Sequence, residues 1–289
     1  VRQDSFKLAA PAKINLYLGV HPERDGRGYH RVDTVMVALA LVDEIYIEPA
    51  NELAVHMDPP LDLPAEKSNV WKAAVSLAAA YGIKPRASLS IRQHIPTKAG
   101  LGGSSSDAGT TLIGLCQLWG INTRDPQVAQ VARAIGADVF FFLDPRPAFL
   151  SGVGDVLEEI YPDLPPMPIV LVKPAGGVST VEAYAGFDRW SVTSGDAPSA
   201  LFTALRTGDI THIAALMTND LDPIARRLLP AIDEVKTWLS GCPGVIGAMV
   251  SGSGSCVFGI CKSSLDAKRI AAEAIKHGWW SCATQIVHT

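Results

Sequence analysis

Apolar and polar positions alternate with a two-residue period over residues 8–20, where Ile14, Leu16 and Leu18 interleave with Lys13, Asn15 and Tyr17. That period predicts a strand with an apolar face and a polar face. On the residues alone, Lys13 and Asn15 lie side by side on what reads as a solvated face. Residues 34–41, 44–48 and 53–57 read as further, separate strands. Ala87, Leu89 and Ile91 alternate with Ser88, Ser90 and Arg92 in the same way. From Ala108 the period lengthens. Ala108, Leu112, Leu115, Cys116 and Trp119 recur at helical spacing, and Gly120 supplies a stop. Ser68-Asn69 offers an N-cap for a helix ending at Tyr81, and Val128, Val131, Ala132 and Ile135 predict another ending at Gly136.

The organisation changes at Met167. Ile169-Val-Leu-Val172 is a fully apolar strand, and residues 178–184 open a helix with Ser179 or Thr180 as cap and Glu182 in its first turn. Residues 190–200 are polar and read as a loop. Helices are expected near residues 200–206, 210–217 and 223–239. Strands at 245–250 and 256–260, joined by Ser251-Gly-Ser-Gly-Ser255, precede a helix over 265–276 and a last strand over 283–287. Strand, helices, strand, strand, helix, strand is the ferredoxin-like order. The chain is therefore read as α+β.

The stretch that carries chemistry is Ile95-Pro-Thr-Lys-Ala-Gly-Leu-Gly-Gly-Ser-Ser-Ser-Asp-Ala-Gly-Thr110, which a strand enters and a helix leaves. Glycine accepts left-handed backbone angles and lets a ligand approach closely. The free N–H groups of the helix start favour an anion, and Lys98 adds a positive charge at the mouth. Such a turn is either a phosphate cradle or merely a tight connection. The G-x-x-x-x-G-K-[ST] loop is excluded because no Gly-Lys-Ser/Thr occurs, and the dinucleotide pattern fails because Ser105 occupies its third glycine position. No G-x-S-x-G elbow or protein-kinase D-F-G is present. Elsewhere, Asp138 sits against an apolar run as a cap, a turn residue or a catalytic acid. Residues 21–30 read as a Gly-rich loop ending in Tyr29-His30, equally well an ordinary hairpin loop or a tip able to stack a planar ring and hydrogen-bond its edge.

Composition narrows the classes. With 289 residues the chain can bury one large core or two ordinary ones, and 48% hydrophobic with 19% charged residues is a globular profile. A net charge of -4 provides no basic field for nucleic acid. Five cysteines without a C-x-x-C pair argue against a disulfide framework or a zinc ribbon. The N-terminal residues lack the apolar run of a signal peptide, and no segment reaches the roughly 20 apolar residues of a membrane helix. Cytoplasmic location is the expectation.

The pattern P-x-x-x-G-L-G-G-S-S-S resembles the signature loop of the GHMP small-molecule kinases. P-A-K-I-N-L-x-L-x-V followed by Arg24-Asp25-Gly26 and then Tyr29-His30 is similar to the branch of that family that phosphorylates 4-diphosphocytidyl-2-C-methyl-D-erythritol in the non-mevalonate isoprenoid route. Gly136-Ala-Asp138-Val-Phe140-Phe-Phe resembles the family's G-[AS]-D-V-P-F-F segment, with Phe140 in place of proline. Arg27-Gly28 is an insertion relative to the usual motif.

The resemblance implies the two-domain GHMP fold. A ribosomal protein S5 domain 2-like ATP-binding domain would occupy residues 1–155, and a ferredoxin-like domain residues 156–289. It further implies ATP and Mg²⁺ as cofactors, with Lys13 and Asp138 side by side as the catalytic pair. Pro96, Lys98, Ala99, Gly100, Leu101, Gly102, Gly103, Ser104, Ser105 and Ser106 would hold ATP. Asn69 would join them or be a plain N-cap. Asn15 would orient the substrate, Tyr29 and Tyr184 would sandwich the cytosine, and His30 would read its edge. Gly252, Ser253 and Gly254 would form the family's third motif. Homoserine- or mevalonate-type kinases, or a ligand sensor without turnover, are the alternatives.

Overall fold

The first alternating run carries a far longer strand than its apolar core. In the computed structural model, which describes residues 5–60, 64–190 and 199–287, β1 spans Phe6–Arg24 and β2 spans His30–Glu48. The two strands expected at 34–41 and 44–48 are one, because Asp43 between them continues the sheet. There follow β3 (Ala54–Asp58), α1 (Asn69–Ala80), β4 (Ser88–Arg92), α2 (Gly103–Trp119), α3 (Pro126–Ile135), β5 (Ala148–Ser151) and β6 (Val156–Ile160). The later chain gives β7 (Pro168–Lys173), α4 (Thr180–Trp190), α5 (Ser199–Thr207), α6 (Ile210–Leu216), β8 (Thr218–Asn219), α7 (Asp222–Leu228) and α8 (Ala231–Gly241). It closes with β9 (Val245–Val250), β10 (Val257–Cys261), α9 (Ser264–Lys276) and β11 (Trp280–Gln285). Most of the loop expected at 190–200 lies outside the described residues.

Contacts gather into two units that interleave along the sequence. The first takes residues up to Ala12, Leu41–Pro96 and Gly102–Pro145; the second takes Lys13–Ala40, Thr97–Leu101 and the chain from Arg146 onward.

In the first unit the sheet runs β3-β4-β2-β1, with β3 parallel and β2 antiparallel to β4. Ile45 faces Ile91 and Ile47 faces Leu89 across the β2–β4 register. These side chains are buried with Leu77 of α1, Leu112 and Leu115 of α2 and Val128 of α3 in one apolar core. Each such burial contributes about 1.5–3 kcal/mol. The helices therefore owe their position to the apolar stripe that the sequence displays.

In the second unit the sheet runs β11-β7-β10-β9, and each neighbouring pair is antiparallel. Val170, Val172, Val250 and Val257 of this sheet bury against Val235, Leu239 and Ile270 of the helices. This is the ferredoxin-like order that the element pattern predicts. The single helix expected at 223–239 is divided. Leu229 is extended at φ -136 and ψ 91 before Pro230, whose ring disfavours a helical residue ahead of it. Three short strands had no legible period: β8, parallel to β1 at Tyr17–Leu18, and the pair β5 and β6.

Candidate active site

The glycine-rich stretch is gripped along its backbone in the second unit. Ser255 N donates to Lys98 O at 3.2 Å and Cys256 N to Ala99 O at 3.1 Å. The Ser251 hydroxyl donates to Gly100 O at 2.9 Å. Gly100 has φ 74, and a Cβ there would lie 2.0 Å from the Ser251 carbonyl oxygen. Only glycine allows both the angle and the approach. Lys98, with φ 51, adopts a left-handed conformation despite its side chain. Such backbone costs about 1–3 kcal/mol and persists only when its surroundings fix it. Gly177 adds to the restraint, since a Cβ on it would meet Lys98 Cβ at 2.5 Å. The Ser251–Ser255 turn is thus a clasp on residues 98–100. Within that turn, Gly252 O accepts from Asn219 Nδ2 at 2.8 Å, and the hydroxyls of Ser253 and Thr180 lie 3.2 Å apart.

In the first unit, α2 starts behind Gly102, whose φ of 73 ends the turn, and no side chain caps the helix. The N–H groups of Gly103 and Ser104 at its start therefore remain available to an anion. Ser105 N and Ser106 N return to Gly102 O at 3.0 and 2.8 Å. Ser68, not Asn69, caps α1 by accepting from Trp71 N at 3.1 Å. That frees the Asn69 amide, which donates to Ser104 Oγ at 3.1 Å and so joins the serine turn.

Lys13 and Asn15 do not lie on a solvated face. Their residues are only 4% and 3% exposed, because this part of β1 is covered on both sides. Lys13 Nζ donates to Asn15 Oδ1 at 2.7 Å, and Asn15 Nδ2 donates to Thr34 Oγ1 at 2.8 Å. Thr34 in turn donates to Tyr17 O at 2.8 Å. This relay leaves the Asn15 amide one orientation and aims its oxygen at the ammonium. Gly252 borders the same group, since a Cβ there would lie 3.3 Å from Lys13 Nζ.

Asp138 occupies a 3-10 turn, Ala137–Val139, in the first unit. The turn packs tightly on α2 at Gly109, where a Cβ would meet Phe142 Cβ at 2.6 Å and Val139 O at 3.1 Å. Phe140 has φ -61, a value that a proline ring would also adopt. The Arg133 guanidinium lies 3.9 Å from the Phe140 ring centroid and holds the ring in place.

The Tyr29-His30 tip is shaped by Asp25. Its carboxylate accepts from Arg27 N at 2.9 Å, Tyr29 N at 3.0 Å and Arg27 Nε at 2.7 Å. The Arg27-Gly28 insertion is thereby absorbed in the turn, with Gly28 at φ 86. The Arg27 guanidinium lies 5.5 Å from the Tyr29 ring centroid, while Tyr29 stays 62% exposed. His30 is buried. Its Nδ1 donates to His21 O at 2.7 Å, since a carbonyl can only accept. Nε2 faces Asp188 Oδ1 at 3.0 Å, off the line of a hydrogen bond. The Asp188 carboxylate also meets Arg24 at 2.5 Å. Tyr184 stacks on the imidazole with centroids 5.6 Å apart, and Phe187 meets it edge-on at 5.4 Å. Tyr184 therefore pairs with His30 rather than with Tyr29.

Thr34, Asn219 and Asp188 escaped sequence reading. Each acts through a partner that is distant in the chain, and no local spacing announces it.

A phosphate-type loop, a buried Lys–Asn–Thr relay and an aromatic seat on a two-unit α+β frame define a small-molecule kinase of the GHMP class. Residues 68–144 match the GHMP kinases N terminal domain and residues 201–278 the GHMP kinases C terminal family. The 4-diphosphocytidyl-2-C-methyl-D-erythritol kinase of Syntrophotalea carbinolica is 38% identical over 96% of this chain and 98% of its own. That of Pelotomaculum thermopropionicum is 36% identical over 91% of both. A crystal structure of 4-(cytidine 5'-diphospho)-2C-methyl-D-erythritol kinase superposes with a TM-score of 0.82 at 31% identity, covering 98% of this chain and all of the other. Homoserine kinase from Cytophaga hutchinsonii shares the fold, with a TM-score of 0.73 at 19% identity. The chain belongs to the 4-diphosphocytidyl-2-C-methyl-D-erythritol kinase family and is an ATP-dependent small-molecule kinase. Among the described residues no helix is long and apolar enough to cross a membrane.

Proposed function

We propose that this chain transfers the γ-phosphoryl group of ATP to the 2-hydroxyl of 4-diphosphocytidyl-2-C-methyl-D-erythritol in the cytoplasm. The observation that carries the substrate assignment is the aromatic seat in which His30 is stacked by Tyr184 and edged by Phe187. A kinase of a small aliphatic alcohol has no use for stacked rings beside a polar ring edge. A cytosine does. Five free cysteines support a reducing compartment.

Phosphoryl transfer needs positioning and charge neutralisation more than covalent chemistry. The first-turn N–H groups of α2 bind phosphate oxygens, and the clasp on residues 98–100 fixes the loop before the nucleotide arrives. Asp138 accepts the proton of the attacking hydroxyl or orients it. Lys13, held by Asn15, stabilises negative charge on the transferring group. Magnesium supplies further charge neutralisation when bound. Among the described residues no three His, Cys, Asp or Glu side chains gather into a cage. That donor set fits an ion carried mainly by nucleotide phosphates and water, with Ser105 or Ser106 as the protein group near it. The buried Ser106 Oγ has no hydrogen-bond partner.

The test is ADP release with ATP and Mg²⁺, comparing the cytidyl alcohol with homoserine and mevalonate, for wild type and Asp138→Ala. Turnover confined to the cytidyl alcohol, and lost in the variant, is expected. Preference for another alcohol would overturn the substrate assignment and leave the kinase.

A further inference from the structure

Two buried carboxylates in the first unit take no part in the chemistry above. Asp43, in the middle of β2, is 0% exposed, and Asp107, in the second turn of α2, is 1% exposed. Asp43 Oδ1 accepts from both His94 N at 2.5 Å and Ile95 N at 2.8 Å. These amides follow the end of β4 and immediately precede Pro96, where the chain leaves the sheet and enters the glycine-rich stretch. Without Asp43 the amide of the buried Ile95 would lose its acceptor.

The other half of the arrangement lies on the helix that leaves the stretch. Gly103 and Asp107 are four residues apart and share a helix face. A Cβ on Gly103 would lie 3.1 Å from the Ile95 side chain and 3.7 Å from Asp43 Oδ2, so the start of α2 rests on Ile95 and Asp43. Asp107 faces Asp43 as a side-chain hydrogen-bond partner, and Gln93 approaches without the alignment of a full bond. Asp43 Oδ2 and both Asp107 oxygens meet no aligned N–H or O–H donor. Two carboxylates so enclosed cannot both ionise, and a proton between them satisfies the pair. Burial, then the neighbouring acid, accordingly pushes Asp107 well above the usual carboxylate range.

Stability alone does not call for such a pair, since apolar side chains of similar volume fill a core at lower cost. What a directional pair supplies is registration of the segments it joins. We infer that Asp43 and Asp107 are positioning residues for ATP, tying the chain entering the nucleotide loop at His94-Ile95 to the helix leaving it at Gly103–Asp107. The tie sets the spacing between loop entrance and helix start, and hence where the first-turn N–H groups of α2 point. It rests on the assignment of residues 96–106 to the nucleotide.

The experiment measures ATP Kd by calorimetry without acceptor, together with KM and kcat, for Asp107→Ala, Asp107→Asn and Lys98→Ala. Asn can donate to an ionised Asp43 and restore the link. Asp107→Ala is expected to weaken ATP about tenfold, the loss of one buried hydrogen bond, with KM for the alcohol unchanged. Asp107→Asn is expected to recover near wild-type affinity. Should Asp107→Ala fail to fold, Asp107→Ser, which keeps a small polar group, takes its place. The tie is overturned if the short variants lower thermal stability but leave ATP affinity unchanged while Lys98→Ala weakens it. It is likewise overturned if Asn behaves like Ala. If Lys98→Ala also leaves ATP affinity unchanged, the loop assignment itself has failed and the inference falls with it.

Discussion

The imidazole of His30 lies face to face with the phenol ring of Tyr184, centroids 5.6 Å apart and planes 16° from parallel. A base entering this seat must stack on one of the two rings or separate them. Base–aromatic stacking is worth about 1–3 kcal/mol, so Tyr184→Ala should raise KM for the cytidyl alcohol about tenfold or more. KM for ATP should stay within twofold, and Tyr184→Phe, which keeps the ring, should raise KM for the cytidyl alcohol less than Tyr184→Ala. Steady-state kinetics with each substrate varied in turn checks the split. An equal rise in both constants would dissociate Tyr184 from the base.

Lys13 is a buried cation, and its removal bears on both catalysis and folding. Lys13→Met keeps the volume but leaves the buried Asn15 Oδ1 without its donor, so the thermal midpoint should fall, for a cost of about 1–3 kcal/mol. Loss of a charged donor at the transferring group should lower kcat by about 10²–10³. Kinetics and thermal melting on the same preparation give both readings.

At Gly100 the loop touches the clasp closely, with a Cβ position 2.0 Å from Ser251 O and φ 74. Gly100→Ala should cost about 1–3 kcal/mol from backbone strain, before any displacement of the clasp. A lower urea midpoint together with a raised KM for ATP is the expected result.

The sequence displayed the architecture wherever a single face was buried. The alternation at Ile45 and Ile47 and the stripe Leu112–Leu115 announced the first core because packing and local period coincide there. The reading broke where a polar residue belongs to a distant partner. Asp43 looks like a strand break in the chain, yet it continues β2 because its carboxylate serves His94 and Ile95. Lys13 and Asn15 looked solvated because nothing local reveals that a second layer covers their face. The site motifs were legible as backbone chemistry, glycines and serines at fixed spacing. The clasp was not, since the contact of Ser251 with Gly100 spans 151 positions.

Stability should record the proton held by the acidic pair. Burial raises Asp107, and it raises Asp43 despite the opposing His94 and Ile95 amides. The native state keeps a proton that the unfolded chain releases near an ordinary carboxylate pKa of about 4. With more protons bound in the native state, stability falls as pH rises from there towards the raised native value. Asp107→Asn has no such proton to lose. Its unfolding free energy in urea should decline less with rising pH than that of wild type, and parallel slopes would falsify the shared proton.

Phe140 keeps a proline's φ of -61 beside Asp138. Phe140→Pro should therefore leave kcat within a few-fold and stability within about 1 kcal/mol. A collapse of activity would show that the aromatic ring under Arg133, rather than the backbone angle, holds the acid in place.

The interleaved tracing of the two units also governs how the polypeptide can be divided. A fragment starting at Arg146 lacks Lys13–Ala40 and Thr97–Leu101, which belong to its own unit, and a fragment ending at Pro145 carries those segments away from their partners. No single scission yields either half intact. Proteolytic nicking between the halves, or their separate synthesis, would therefore strand the Lys13 relay without the clasp. Any ancestral fusion or modern transplantation of this enzyme must move the whole chain as one heritable block.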